Sequence, residues 1–141
     1  MFSSDLVKKF NNLPTPFYYY DLNILKNNLK SLCNSLRSNN KVHFSVKSNT
    51  NKRILEIVKS YNLGIDAVSY NEIKHCLDQG FDSKDIVFAG VGKTDEEIKK
   101  AIEKDIAYFN VESFQELDVI NQLSKKQSKL TEVSIRINPN I

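Results

Sequence analysis

Val42-His43-Phe44-Ser45-Val46-Lys47 runs straight into the polar segment Ser48-Asn49-Thr50-Asn51. Successive side chains of a strand face opposite sides, so Val42, Phe44 and Val46 share one face while His43, Ser45 and Lys47 share the other. The same change from a β-branched or aromatic run to a helix-like stretch recurs from Ile65, Ile86, Tyr108 and Val133, at separations of 23, 21, 22 and 25 residues. A strand, a helix and two short loops need about that length, so the spacing predicts parallel βα units in an α/β fold. In the last run Val133, Ile135 and Ile137 alternate with Ser134, Arg136 and Asn138. The first and last runs are thus expected to turn an apolar face toward helices and a polar, basic face toward the interior and mouth of a barrel. A basic interior needs an anion or a carboxylate, and Asp66 in Ile65-Asp66-Ala67-Val68 is the suitable acid, because an acid within a strand stays buried only when paired.

Helix starts keep the same register. Three S/T-x-x-E boxes follow strand-like runs, at Ser69 with Glu72, Thr94 with Glu97 and Ser113 with Glu116, and each satisfies free amides of a first turn. Behind them, Ile98-Ala101-Ile102 and Phe114-Leu117-Ile120-Leu123 form stripes suited to packing on a sheet. Leu22, Leu25, Leu29, Leu32 and Leu36 mark an earlier helix that fits an outer layer, two heptads being too few for a coiled coil.

Composition narrows the class. With 141 residues, 40% of them hydrophobic and 26% charged, the chain has the size and apolar content of one ordinary globular domain. No continuous apolar run suggests a secretory leader or membrane span, so a cytoplasmic protein without membrane association is expected. Residues 1 to 60 carry ten Lys/Arg against three Asp/Glu and the remainder ten against fourteen. The basic half lacks the aromatic interleaving of a stacking platform, and no nucleic-acid partner is expected. Cys33 and Cys76 lie in helix-like segments and read as reduced packing residues. His43 and His75 have no partner at zinc-site spacing, so no metal is expected. His43 stands four residues before Lys47, roughly 13 Å back along the strand, and reads as a core residue. Gly90-Val91-Gly92-Lys93-Thr94 invites comparison with a phosphate-binding P-loop, but the position five before Gly92 is Val87, and a tight βα loop capped by Thr94 explains the segment.

Lys47 carries the chemistry. Parallel α/β folds gather ligand chemistry where strands end, and a primary amine there can form a Schiff base with a carbonyl. Most lysines at such places are solvated charges; the neighbouring motifs supply the context. Pro14-Thr15-Pro16-Phe17-Tyr18-Tyr19-Tyr20-Asp21, Phe44-Ser45-Val46-Lys47-Ser48-Asn49, Asp66-Ala67-Val68-Ser69 with Glu72, Phe88 to Thr94, Phe109-Asn110-Val111-Glu112-Ser113 with Glu116, and Arg136-Ile137-Asn138-Pro139 occur in order. Together they resemble the fold-type III, pyridoxal phosphate-dependent amino-acid decarboxylases, in the style of the diaminopimelate decarboxylase branch and not of the ornithine or arginine branches. Ser45 and Ser48 replace the alanines usual in that family's lysine motif.

The resemblance implies a (β/α)8 TIM-type barrel of the alanine racemase/decarboxylase kind joined to a C-terminal β-domain. This chain would supply an opening strand and first helix over 1–40 and a partial cofactor-binding barrel over 41–141, truncated after about five barrel strands and lacking the β-domain. It implies Lys47 as the Schiff-base lysine for pyridoxal 5'-phosphate, with Asp66 and Arg136 lining the cofactor. The reaction implied is decarboxylation of meso-diaminopimelate to L-lysine, with the cofactor as electron sink. The family's ring-stacking histidine, glycine-rich phosphate loop and acid at the pyridine nitrogen match nothing in this chain. A homodimer, or a complementing C-terminal fragment, is the implied partner. The competing readings are a non-catalytic remnant or binding module, an ornithine- or arginine-type decarboxylase, and a single-barrel pyridoxal phosphate-homeostasis protein.

Overall fold

In the computed structural model, which describes residues 2–139, a five-stranded parallel sheet carries its helices on one face. Strands β1 (His43–Ser45), β2 (Gly64–Ala67), β3 (Ile86–Phe88), β4 (Tyr108–Val111) and β5 (Val133–Ile135) pair in chain order, β1-β2-β3-β4-β5. Each strand pairs with the one before it through a helical crossover: α3 (Lys52–Ser60), α4 (Tyr70–Asp78), α5 (Asp95–Glu103) and α6 (Phe114–Lys126). This is the βα arc of a partial TIM-type barrel, and the strand starts match the sequence expectation to within one residue. The N-terminal part contributes α1 (Ser4–Asn11) and α2 (Leu22–Ser35).

The crossovers repeat in geometry more closely than in sequence. Asn62, Gly80, Asp105 and Ser128 each stand two residues beyond a crossover helix, and all four are left-handed, with φ of 56°, 79°, 52° and 53°. Three of the four accept the steric cost that glycine avoids. Helix starts are equally regular, for Ser69, Thr94 and Ser113 each accept a hydrogen bond from the backbone amide three residues on. Only Glu97 closes the reciprocal box on its own cap residue. Glu72 and Glu116 reach one residue further back, accepting from the amides of Val68 (2.8 Å) and Glu112 (3.0 Å), and so clamp the ends of β2 and β4.

The core lies between sheet and helices. Ile65, Ala67, Ile86, Phe88, Phe109 and Val111 point to the helix side and meet Leu55, Val58, Ile73, Cys76, Ile98, Ile102 and Ile120. Full burial of each large aliphatic or aromatic side chain contributes roughly 1.5–3 kcal/mol. Cys76 is a free thiol pushed up to about 12 by burial and by Glu72, which makes it a packing group and not a nucleophile.

Three features go beyond the pattern expected from the sequence. The helix at Ser4–Asn11, which follows the Ser3 cap, was not foreseen. Pro14 to Tyr20, the opening strand that the resemblance implies and pairs with the β-domain, forms no ladder among the described residues. Finally, Val133, Ile135 and Ile137 lie on the helix side but stay 39%, 62% and 79% exposed, because no described helix follows β5 to cover them. Asn140 and Ile141, which close the predicted 41–141 unit, lie outside the described residues.

Candidate functional site

The C-terminal ends of the five parallel strands lie side by side, and the residues singled out from the sequence stand at or near them. β1 stops at Ser45, so Lys47 does not end the strand but sits in a single 3₁₀ turn, Val46–Ser48. That turn is pinned from below by the fully buried Val46, and closed by the Asn49 amide donating to Val46 O (3.0 Å) and the Ser48 hydroxyl donating to Ser45 O (2.7 Å). Lys47 itself is exposed and, among the described residues, makes no hydrogen bond or ion pair. A rigid turn thus presents a primary amine that has no internal partner.

Asp66 stands one strand over. The register pairs Ser45 with Asp66, and Ser45 Oγ donates to Asp66 Oδ2 at 3.1 Å, which anchors the half-buried carboxylate on the polar face. Its partner is therefore a hydroxyl, and not Arg136. The guanidinium of Arg136 reaches Glu112 instead, Nη1 lying 3.3 and 3.4 Å from the two carboxylate oxygens, while Nε donates to Asn138 Oδ1 at 3.3 Å. Glu112, Arg136 and Asn138 edge a mostly apolar groove of about 360 Å³ whose walls are Val111, Phe114, Leu117, Ile135 and Ile137, beside the uncovered helix-side face of β5. Lys47 follows the first strand of the sheet and Arg136 the last, while Asp66 lies in the strand beside the first.

Sequence reasoning missed a second charged cluster. The side chain of Lys93, read as part of a glycine-containing loop, is 1% exposed. Its ammonium donates to Gly90 O (2.7 Å), Asn110 O (2.9 Å) and Glu116 Oε1 (2.6 Å), and lies 5.6 Å from the centre of the Phe88 ring. This lysine closes the βα loop onto β4 and α6, which a solvated loop lysine does not do. The two glycines before it, Gly90 and Gly92, were the only hint, since Gly90 takes a left-handed turn (φ 98°) that brings its carbonyl to the lysine.

The histidines fall where a structural role places them. His75 Nε2 donates to Thr50 O at 3.0 Å on the outer layer. His43, at the opposite end of β1 from Lys47, packs edge-on to Tyr108 with ring centres 6.2 Å apart. Its Nε2 is enclosed without a partner, and burial, followed by the charge of Lys41, lowers its pKa from the ordinary 6.5. No helix of the described residues is long and apolar enough to cross a membrane.

These features meet in one family. Residues 22–141 match the family model "Pyridoxal-dependent decarboxylase, pyridoxal binding domain", and the chain belongs to the pyridoxal-dependent decarboxylases. Within that class it is 43% identical over 137 residues to diaminopimelate decarboxylase of Bacteroides thetaiotaomicron, covering 96% of this chain and 36% of that protein. The crystal structure of Helicobacter pylori diaminopimelate decarboxylase complexed with L-lysine superposes with a TM-score of 0.85 at 35% identity, over 96% of this chain and 35% of that one. Ornithine decarboxylase from Entamoeba histolytica matches less well, with a TM-score of 0.79 at 25% identity over 94% of this chain and 40% of that one. The chain spans about a third of the length of the relatives it matches.

The family's cofactor is pyridoxal phosphate, and the residues present fit part of it. An amine without an internal partner, an anchored carboxylate and a guanidinium whose Nη2 has no partner among the described residues are groups suited to an aldehyde with charged substituents.

Proposed function

We propose that this chain supplies the lysine-bearing part of a diaminopimelate decarboxylase, which removes the carboxylate at the D centre of meso-diaminopimelate and leaves L-lysine. Support comes from Lys47, held by a rigid turn at the mouth of β1 beside Asp66 and with no internal partner among the described residues. When bound, pyridoxal phosphate supplies an electron sink for the pair left on carbon as carbon dioxide departs. Lys47 would present the amine that holds the cofactor at its aldehyde. Asp66, fixed by Ser45, balances positive charge on that side of the mouth, and Arg136 offers Nη2 to an anionic group of cofactor or substrate. The diaminopimelate branch is favoured over the ornithine branch by the higher identity and TM-score.

In this reading residues 1–40 form the opening unit and 41–141 the partial barrel, in a cytoplasmic enzyme that works as a homodimer or with a complementing C-terminal segment. The test is borohydride reduction of the chain with pyridoxal phosphate, followed by mass-spectrometric mapping. Lys47 is expected to take the label ahead of the other lysines, and Lys47→Ala to abolish that preference. Label spread evenly over the lysines would refute the assignment. Carbon dioxide release from meso-diaminopimelate in preference to ornithine or arginine tests the substrate.

A further inference from the structure

We infer that Glu112 is a positioning residue, which aims Arg136 into the cofactor site and is itself held by Glu116 and Lys93. The inference rests on the reading of Arg136 as a ligand-facing group. Its geometry is independent of that reading. Four charged residues form one continuous contact chain, two ion pairs joined through a backbone amide: Lys93 to Glu116 Oε1 (2.6 Å), Glu116 Oε2 to the Glu112 amide (3.0 Å), and the Glu112 carboxylate to Arg136 Nη1 (3.3 Å).

Exposure falls steeply along this chain, from 56% for the Arg136 side chain to 11% for Glu112, 10% for Glu116 and 1% for Lys93. The mobile end is therefore the arginine and the fixed end is the lysine. Arginine has many rotamers and points in one direction only if something holds its fork. Here β5 sets the backbone, since the Arg136 amide donates to Val111 O at 3.0 Å and so brings its Cα beside Glu112. Glu112 then takes Nη1, and Asn138 takes Nε, which leaves Nη2 without a partner among the described residues. Both Glu112 oxygens meet the same nitrogen, so the pair is not the two-nitrogen fork that would consume the guanidinium. An arginine held this way stays able to donate to an oxyanion. Lys93 and Glu116 neutralise each other away from solvent, and Glu112 and Arg136 do the same nearer the groove, so neither pair leaves an uncompensated buried charge.

The chain's three arginines, Arg37, Arg53 and Arg136, allow a direct test with built-in references. Phenylglyoxal modification, mapped by mass spectrometry, reads the freedom of each guanidinium. Glu112→Gln is expected to raise the rate at Arg136 about threefold, the scale of a partly exposed ion pair, and to leave Arg37 and Arg53 unchanged. Glu112→Asp, which keeps the charge, should move the rate back toward wild type. A purely structural pair would show the same release, so the second measurement is the pyridoxal phosphate concentration for half-maximal borohydride labelling of Lys47. Positioning predicts that Glu112→Gln raises this concentration about threefold without lowering the labelling reached at saturation. An unchanged Arg136 rate in Glu112→Gln, or a released Arg136 with an unchanged half-saturating concentration, overturns the proposal. A wild-type chain that labels Lys47 no faster than other lysines overturns the cofactor-site reading instead, and the Arg136 rate then decides whether Glu112 holds the guanidinium at all.

Discussion

Replacing Lys93 by methionine removes the most deeply buried charge among the ion pairs while keeping a side chain of similar length over the Phe88 ring. Three acceptors lose their donor: Glu116 Oε1 and the carbonyls of Gly90 and Asn110, at 2.6, 2.7 and 2.9 Å. Deleting one partner of a buried pair costs roughly 3–5 kcal/mol, because the other charge is left buried and unpaired. Glu116 is 10% exposed and keeps a little access to water, which places the cost near the lower end, about 3 kcal/mol. Against a typical slope of about 1–3 kcal/mol per molar urea, that moves the midpoint down by roughly 1–3 M. Urea titration followed by far-ultraviolet circular dichroism measures it. The double variant Lys93→Met, Glu116→Gln removes the stranded charge and keeps an oxygen for the Glu112 amide, so it should regain about 1–2 kcal/mol relative to the single variant. A Lys93→Met chain within about 1 kcal/mol of wild type, or a double variant less stable than the single one, would refute the buried-pair reasoning.

Gly64→Ala should be destabilised by about 1–3 kcal/mol, since a Cβ there would lie 2.7 Å from the backbone oxygen of Asp85 and 2.5 Å from His43 Cδ2; an unchanged thermal midpoint would count against that packing. Burial holds the folded-state pKa of His43 below 6.5, so the unfolded chain binds the proton more readily. Stability is thus fully present above about pH 6.5 and declines as pH falls from there through the folded-state pKa, and His43→Gln should flatten that slope in urea titrations run across the range. Thr94→Ala removes the cap of α5 and should cost about 1 kcal/mol, seen as faster amide exchange in the first turn of that helix.

Most of the sheet was legible because its signals are local. A β-branched run, a capping serine or threonine and a glutamate three residues on all lie within one βα unit, and Ile86, Tyr108 and Val133 start strands where the run pattern puts them. Lys47 and Asp66 stood out in the sequence as polar positions in runs whose alternate residues are apolar, although Lys47 falls in the turn beyond β1. The charge partners were not, because they depend on register between strands. Arg136 faces Glu112 since β5 pairs Ile135 with Val111, and no spacing within either segment records that pairing. Lys93 was hidden for a related reason, as its burial comes from β4 and α6 closing over a loop that in isolation reads as solvated. The helix at Ser4–Asn11 places Leu6, Val7 and Phe10 at helical spacing behind the Ser3 cap, a signal that was present in the sequence but passed over because the run is only eight residues long and buries none of them.

Strand order that repeats chain order has a consequence for how the molecule is made. Every ladder joins a strand to the one completed just before it, so each new pairing closes a short loop and carries a small entropic cost. A chain leaving the ribosome can add one βα unit at a time onto a template already formed, without waiting for a distant segment. At each stage the newest strand is a sticky edge, and in the described residues that position belongs to β5, with its bare isoleucines. Growth by accretion thus moves one of the sheet's two open edges forward with each unit, while β1 stays the other.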